Sequence, residues 1–154
     1  MRRSVLVLSF TLAAAVTTAQ EHPWTARFQA GRSTIPEWGE RGAWGEARIG
    51  QSFVGGMLSA DLGLAVSSLD GGYGSLTAGL EVLPFPRRVV SPFARAEVGL
   101  LGAPEPVGYL AAVGGGLAVR LSDGLSLRGG TTWGTSNGYV EGPVVYYGGL
   151  ELRW

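Results

Sequence analysis

Along most of this chain apolar and polar residues alternate one by one. That is the period of a β-strand, and the three-to-four spacing of an amphipathic helix is missing. Eight segments carry the alternation: "WTARFQAG" (24–31), "AWGEARIGQSF" (43–53), "LSADLGLAV" (58–66), "SLTAGLEVL" (75–83), "FARAEVGLL" (93–101), "GYLAAVGGGLAVRLS" (108–122), "LSLRGGTTW" (125–133) and "PVVYYGGLELRW" (143–154). Most are 8 to 12 residues long. A strand crossing a membrane at a tilt needs roughly 9–11. One face of each is apolar, as with Leu58, Ala60, Leu62, Leu64 and Val66, or Val144, Tyr146, Gly148, Leu150, Leu152 and Trp154.

The other face holds Arg27, Glu46, Arg48, Asp61, Glu81, Arg95, Glu97, Arg120, Arg128, Glu151 and Arg153. Between these charges sit small residues, among them Gly63, Ala65, Thr77, Gly79, Gly99, Gly114, Gly116, Gly130 and Thr132. A strand surface open to water disfavours glycine. A narrow interior needs small side chains, and it needs its charges paired. The polar face is therefore expected inside a narrow barrel and the apolar face outside, in lipid.

The connections fit an up-and-down order. The odd-numbered ones, "RSTIPEWGERG", "SSLDGGYG", "GAPEPV" and "GTSNGYVEG", are polar or turn-rich. Of the even-numbered ones, "VGGM" and "SDG" are short, and Asp123-Gly124 suits a type I′ hairpin. "PFPRRVVSP" is longer than the pattern expects. Aromatic residues collect near strand ends. Trp24, Phe53, Phe85 and Trp154 are expected at one rim, and Tyr109, Trp133 and Tyr146 at the other.

Composition narrows the class further. The 154 residues suffice for one domain. With no Cys, disulfides and thiol chemistry are excluded. All 12 basic residues are Arg and 12 acids balance them, so no net field draws the chain to nucleic acid. Residues 1–19 read as a cleaved export signal: Arg2 and Arg3, an apolar run over 5–16, then Thr17, Thr18 and Ala19 before the cut. That run is too short to span a bilayer as a helix. Residues 20–154 would form the barrel.

Together these features resemble the small eight-stranded outer-membrane β-barrels of the OmpA membrane-domain and OmpX type. The resemblance rests on pattern over the whole mature chain. It implies an all-β, antiparallel, up-and-down transmembrane barrel in the outer membrane of a diderm bacterium. It also implies contact with membrane lipid and with the barrel-assembly machinery, which would read Tyr146, Gly148, Leu150, Leu152 and Trp154 as a terminal-strand signal. Most members end in Phe, and Trp154 departs mildly.

Chemistry is sparse. Barrel enzymes of this architecture need a His general base, and the one His here, His22, precedes the first strand. No catalytic residue, cofactor site or metal site is assigned. Asp70, Glu105 and Glu141 fall on separate connections, as solvated charges. Gly114-Gly115-Gly116 lacks the Lys of a phosphate loop. The charges Glu46, Arg48, Asp61, Glu81, Arg95, Glu97, Arg120, Arg128, Glu151 and Arg153 are expected to form a network that plugs the lumen. The outer half of the lumen, with smaller residues, would leave room for a shallow pocket. Trp38 and Tyr139 on long connections are expected contact residues for a surface partner. Two alternatives follow from the same residues: a small pore or small-ligand carrier, and a secreted lipocalin-like barrel with its faces reversed.

Overall fold

The computed structural model describes residues 24–36, 39–69, 72–102, 108–137 and 143–154. Eight strands run in order: β1 (Trp24–Ile35), β2 (Glu40–Phe53), β3 (Leu58–Ser67), β4 (Tyr73–Val82), β5 (Val90–Gly102), β6 (Gly108–Arg120), β7 (Leu125–Ser136) and β8 (Val144–Arg153). Each pairs antiparallel with the next, and β1 pairs with β8, so the sheet closes. Closure leaves no open edge, and every strand interior finds its ladder partner within the barrel. The seam runs from Thr25 opposite Arg153 to Thr34 opposite Val144. Trp24 and Trp154 exchange backbone hydrogen bonds at its foot, of 3.2 and 3.1 Å. This foot, with the β2–β3, β4–β5 and β6–β7 connections, is the turn end; the opposite end is the loop end.

Alternation assigns the faces. In β3, Ser59, Asp61, Gly63, Ala65 and Ser67 are buried, while Leu62, Leu64 and Val66 are 58, 66 and 67% exposed. The same holds around the wall: Leu80, Val98, Val113 and Leu117 point out, and Arg27, Arg48, Glu81, Arg95, Arg128 and Glu151 point in. This is the arrangement of a transmembrane barrel. It overturns the lipocalin-like alternative, which needs the leucines inside. The aromatic rims also lie outward, with Trp24, Phe85 and Trp154 at the turn end and Tyr109, Trp133 and Tyr146 toward the loop end.

Strand ends differ from expectation. β1 continues to Ile35 and β2 begins at Glu40, so most of "RSTIPEWGERG" is strand and its connection is 36–39. Ser33 and Ile35 bury into the lumen and keep the alternation going through polar sequence. β5 starts at Val90, which shortens the "PFPRRVVSP" connection. The β6–β7 turn closes through Leu121 N–H and Ser122 N–H donating to Leu125 O. Neither Asp123 nor Gly124 has the positive φ that a type I′ turn needs. In the β2–β3 turn Val54 takes a left-handed φ of 51°, followed by Gly55 and Gly56 at 65° and 86°. Residues 1–19, His22, Trp38, Asp70, Glu105, Tyr139 and Glu141 lie outside the described residues.

Glycines on the inner face are demanded by the tight wall. A Cβ on Gly31 would lie 1.9 Å from Tyr146 O, and one on Gly116 2.0 Å from Gly129 O. Gly31→Ala is expected to destabilise the barrel by about 1–3 kcal/mol through overpacking. Outward Gly45, whose Cβ would meet nothing closer than 3.9 Å, should accept Ala within about 0.5 kcal/mol. Denaturant midpoints of the refolded variants check both.

Candidate functional site: a lumen of paired charges

The inward charges are brought to one level by the register. Asp61 on β3 lies in the turn half of the lumen. Its Oδ1 accepts from Arg48 Nε at 2.9 Å and Arg95 Nη2 at 2.8 Å, and its Oδ2 accepts from Arg27 Nη1 at 2.8 Å. Three strands are thus tied to one carboxylate. Arg27 uses all its nitrogens: Nε donates to Glu151 Oε2 at 2.5 Å, and Nη2 donates to Glu81 Oε1 at 3.0 Å and to Ser59 Oγ at 3.1 Å. Glu151 is fully buried. It also accepts from Arg128 Nη1 and, through Oε1, from Arg153 Nε at 2.7 Å. Arg128 Nη2 lies 2.7 Å from Glu81 Oε1, within ion-pair distance but off the hydrogen-bond direction.

The network extends toward mid-depth through Glu97 and Glu46. Glu97 Oε2 accepts from Arg48 Nη1 and Arg95 Nε, each at 3.0 Å, and Glu46 Oε1 accepts from Arg48 Nη1. Five guanidiniums (Arg27, Arg48, Arg95, Arg128, Arg153) meet five carboxylates (Glu46, Asp61, Glu81, Glu97, Glu151), so the cluster is neutral. Seven of the eight strands contribute. β6 supplies Ala112, Gly114, Gly116 and Ala118 instead, and these make room. Removing charges from water costs several kcal/mol per ion, and only dense pairing offsets it.

The sequence placed nine of the ten network residues at this level. Arg120 does not join them. Its guanidinium reaches Asp123 in the β6–β7 turn, with the side chain 35% exposed, because it stands at the mouth where water is available. Arg27 was on the polar face but outside the expected network, and the structure puts it at the centre. Four aromatic residues inside the barrel, Phe93, Trp44, Tyr147 and Tyr73, were also missed. The guanidinium of Arg128 stacks 4.1 Å above the Phe93 ring. Trp44 and Tyr147 pack at 5.7 Å between ring centres. Strict parity would have found them: Phe93 precedes Arg95 by two, and Trp44 precedes Glu46 by two.

These rings change the outer half of the lumen. Among the described residues Trp44, Tyr147, Val145 and Leu110 occupy the space where a shallow pocket was expected, and Ile35, Leu69 and Tyr73 pack together nearer the loop end. Serines Ser33 and Ser67 join there at 2.7 Å. A cavity of about 30 Å³ remains between the rings and the charges, lined by Glu46, Thr77, Glu97 and Thr132 among others. That is the volume of about one water molecule. Among the described residues no group of His, Cys, Asp and Glu could hold a metal ion. Tyr146, Leu150, Leu152 and Trp154 all face outward on β8 and just beyond it.

No family model matches the chain, and no curated protein matches it in sequence. Solved structures share the fold. The crystal structure of Neisserial surface protein A matches with a TM-score of 0.67 at 11% identity, over 85% of this chain and 96% of that one. The N-terminal β-barrel domain of Pseudomonas aeruginosa OprF matches with a TM-score of 0.57 at 10% identity, over 84% and 97%. A de novo designed transmembrane β-barrel matches with a TM-score of 0.55 at 15% identity, over 88% and 98%.

Glu151→Ala would leave Arg27, Arg128 and Arg153 short of a counter-charge. The expected loss is about 3–5 kcal/mol, read as a lowered denaturant midpoint of the folded barrel. Arg120→Ala should change the same midpoint by less than about 0.5 kcal/mol, since its partner is in water.

Proposed function

We propose that this chain is a non-enzymatic outer-membrane β-barrel whose lumen is plugged by its arginine–carboxylate network, with a structural or surface-contact role in the cell envelope. One observation carries the reading: charges from seven strands cross-link the inside while the outside is predominantly apolar from the turn end up to the level of Arg32 and Arg41. Such a surface is stable only in lipid, and a barrel wall satisfies its backbone there. Residues 1–19 would direct export. Membrane lipid would surround the girdle. Tyr146, Leu150, Leu152 and Trp154 would present the terminal-strand signal to the assembly machinery during insertion. Trp38 and Tyr139 would be offered to a surface partner.

A pore needs a continuous water path. The buried ion pairs and the rings beside them, among the described residues, support a filled lumen, as eight strands allow. Carriage of a small ligand needs a cavity larger than the space beside Thr77. Among the described residues neither alternative has an observation that favours it over the plug.

Two measurements test the proposal. The unboiled protein, taken from the outer-membrane fraction, should migrate differently from the boiled protein on a cold SDS gel. A single band position, with the protein soluble in the periplasm, would refute the membrane assignment. Reconstituted into planar bilayers, the wild type should show no steady conductance. A stable open level of ion-channel size would refute the plug.

A further inference from the structure

The outer wall is not uniform. On β3 to β6 leucine and valine dominate it, with alanines between them. On β2, β1, β8 and β7 the bulk disappears at one level, between Phe28, Leu150 and Leu127 on the turn side and Tyr146 and Trp133 on the loop side. Gly45 stands opposite Ala30, Ala30 opposite Gly148, and Gly148 opposite Gly129, all on the outward face. Backbone geometry does not require these glycines. A Cβ would meet its nearest atom at 3.9 Å on Gly45, 3.7 Å on Gly148 and 3.6 Å on Gly129, and none has a positive φ. The inward glycines are crowded; these three leave an open strip.

Two cations stand beside the strip, toward the loop end. Arg32 is exposed on the outer face of β1, between Tyr146 of β8 and Ala43 of β2. Arg41 is exposed on the same face of β2, opposite Thr34. The two are diagonal neighbours across the pair, a separation of about 7–8 Å. Among the described residues neither has a carboxylate partner. Glu40 falls on the other face of β2 by alternation. Every other arginine on the strands is turned inward. An arginine beside lipid and without an acid is drawn to the headgroup level, where phosphate is the available anion. Paired guanidiniums match phosphate oxygens in charge and fork geometry.

We propose that the outer face of β1, β2 and β8 is a docking site for a phosphate-bearing lipid. Its phosphate sits between Arg32 and Arg41, and an acyl chain lies on the strip over Ala30, Gly45 and Gly148. This inference rests on the membrane reading above.

The test uses the refolded barrel in neutral detergent and native mass spectrometry. The probes are diphosphorylated lipid A, the same lipid stripped of phosphate, and inorganic phosphate. One lipid A should bind per barrel. Removing its phosphates should weaken binding about tenfold or more, an arm that needs no variant. Arg32→Gln with Arg41→Gln should weaken it similarly, and Gly45→Leu with Gly148→Leu should too. Millimolar inorganic phosphate should not displace the lipid. Equal binding of both lipids, unchanged binding by the glutamine variant, or full displacement by phosphate alone would overturn the proposal. The cold-gel shift is read on each sample, so failure to form a membrane barrel is seen separately from failure to select phosphate.

Discussion

A charge inside a narrow barrel surrounded by an apolar wall has little water to fall back on, so each guanidinium there must meet a carboxylate. Asp61, held by Arg27, Arg48 and Arg95, is where this constraint concentrates. It ties pairing to register. Side chains alternate faces with a period of two, so a slip by one residue would send Asp61 into the apolar wall and bring Leu62 into the lumen. It also dictates small neighbours. A Cβ on Gly63 would lie 2.7 Å from the Arg48 guanidinium, and one on Gly79 would lie 2.5 Å from that of Arg95. The glycines and the arginines are two sides of one packing solution.

The usual division of labour between core and surface is therefore inverted. The buried apolar clusters are small, Leu83, Phe93, Ala118, Val145 and Tyr147 in one and Ile35 with Leu69 in the other. Hydrophobic matching is moved to the outside, where it specifies an environment rather than an internal contact. Specificity of strand order is left to the closed ladder and to the ion pairs. Apolar side chains pack against the charged layer: Phe93 lies under the Arg128 guanidinium, and Trp44 packs on Tyr147 in the same cluster.

Which residues face in was legible at the level of parity. Glu46 with Arg48, Arg95 with Glu97, and Glu151 with Arg153 share faces in the sequence and share the lumen in the structure. Strand ends were less legible. Hydrophobic contrast fades near the rims: "RSTI" reads as a polar connection, yet Ser33 and Ile35 are buried and the strand runs on. The rule that charges point inward also fails there. Arg32 and Arg41 are outward, and Arg120, the last residue of β6, reaches into the turn to Asp123. At the rim an arginine can reach polar surroundings from either face, so burial no longer selects one.

By itself the sequence determined the alternation, the number of strands and the inside-out placement of polar and apolar faces. These follow from the two-residue period of an extended backbone, which is local. Only the tertiary structure decided that Arg27 is the hub, that β6 gives no charge to the network, and that Trp44 and Tyr147 meet from the two strands either side of Gly31. Those contacts join residues from strands that are far apart in the chain. Their depth is set by the stagger of the closed sheet, a property of all eight strands together and of no segment alone.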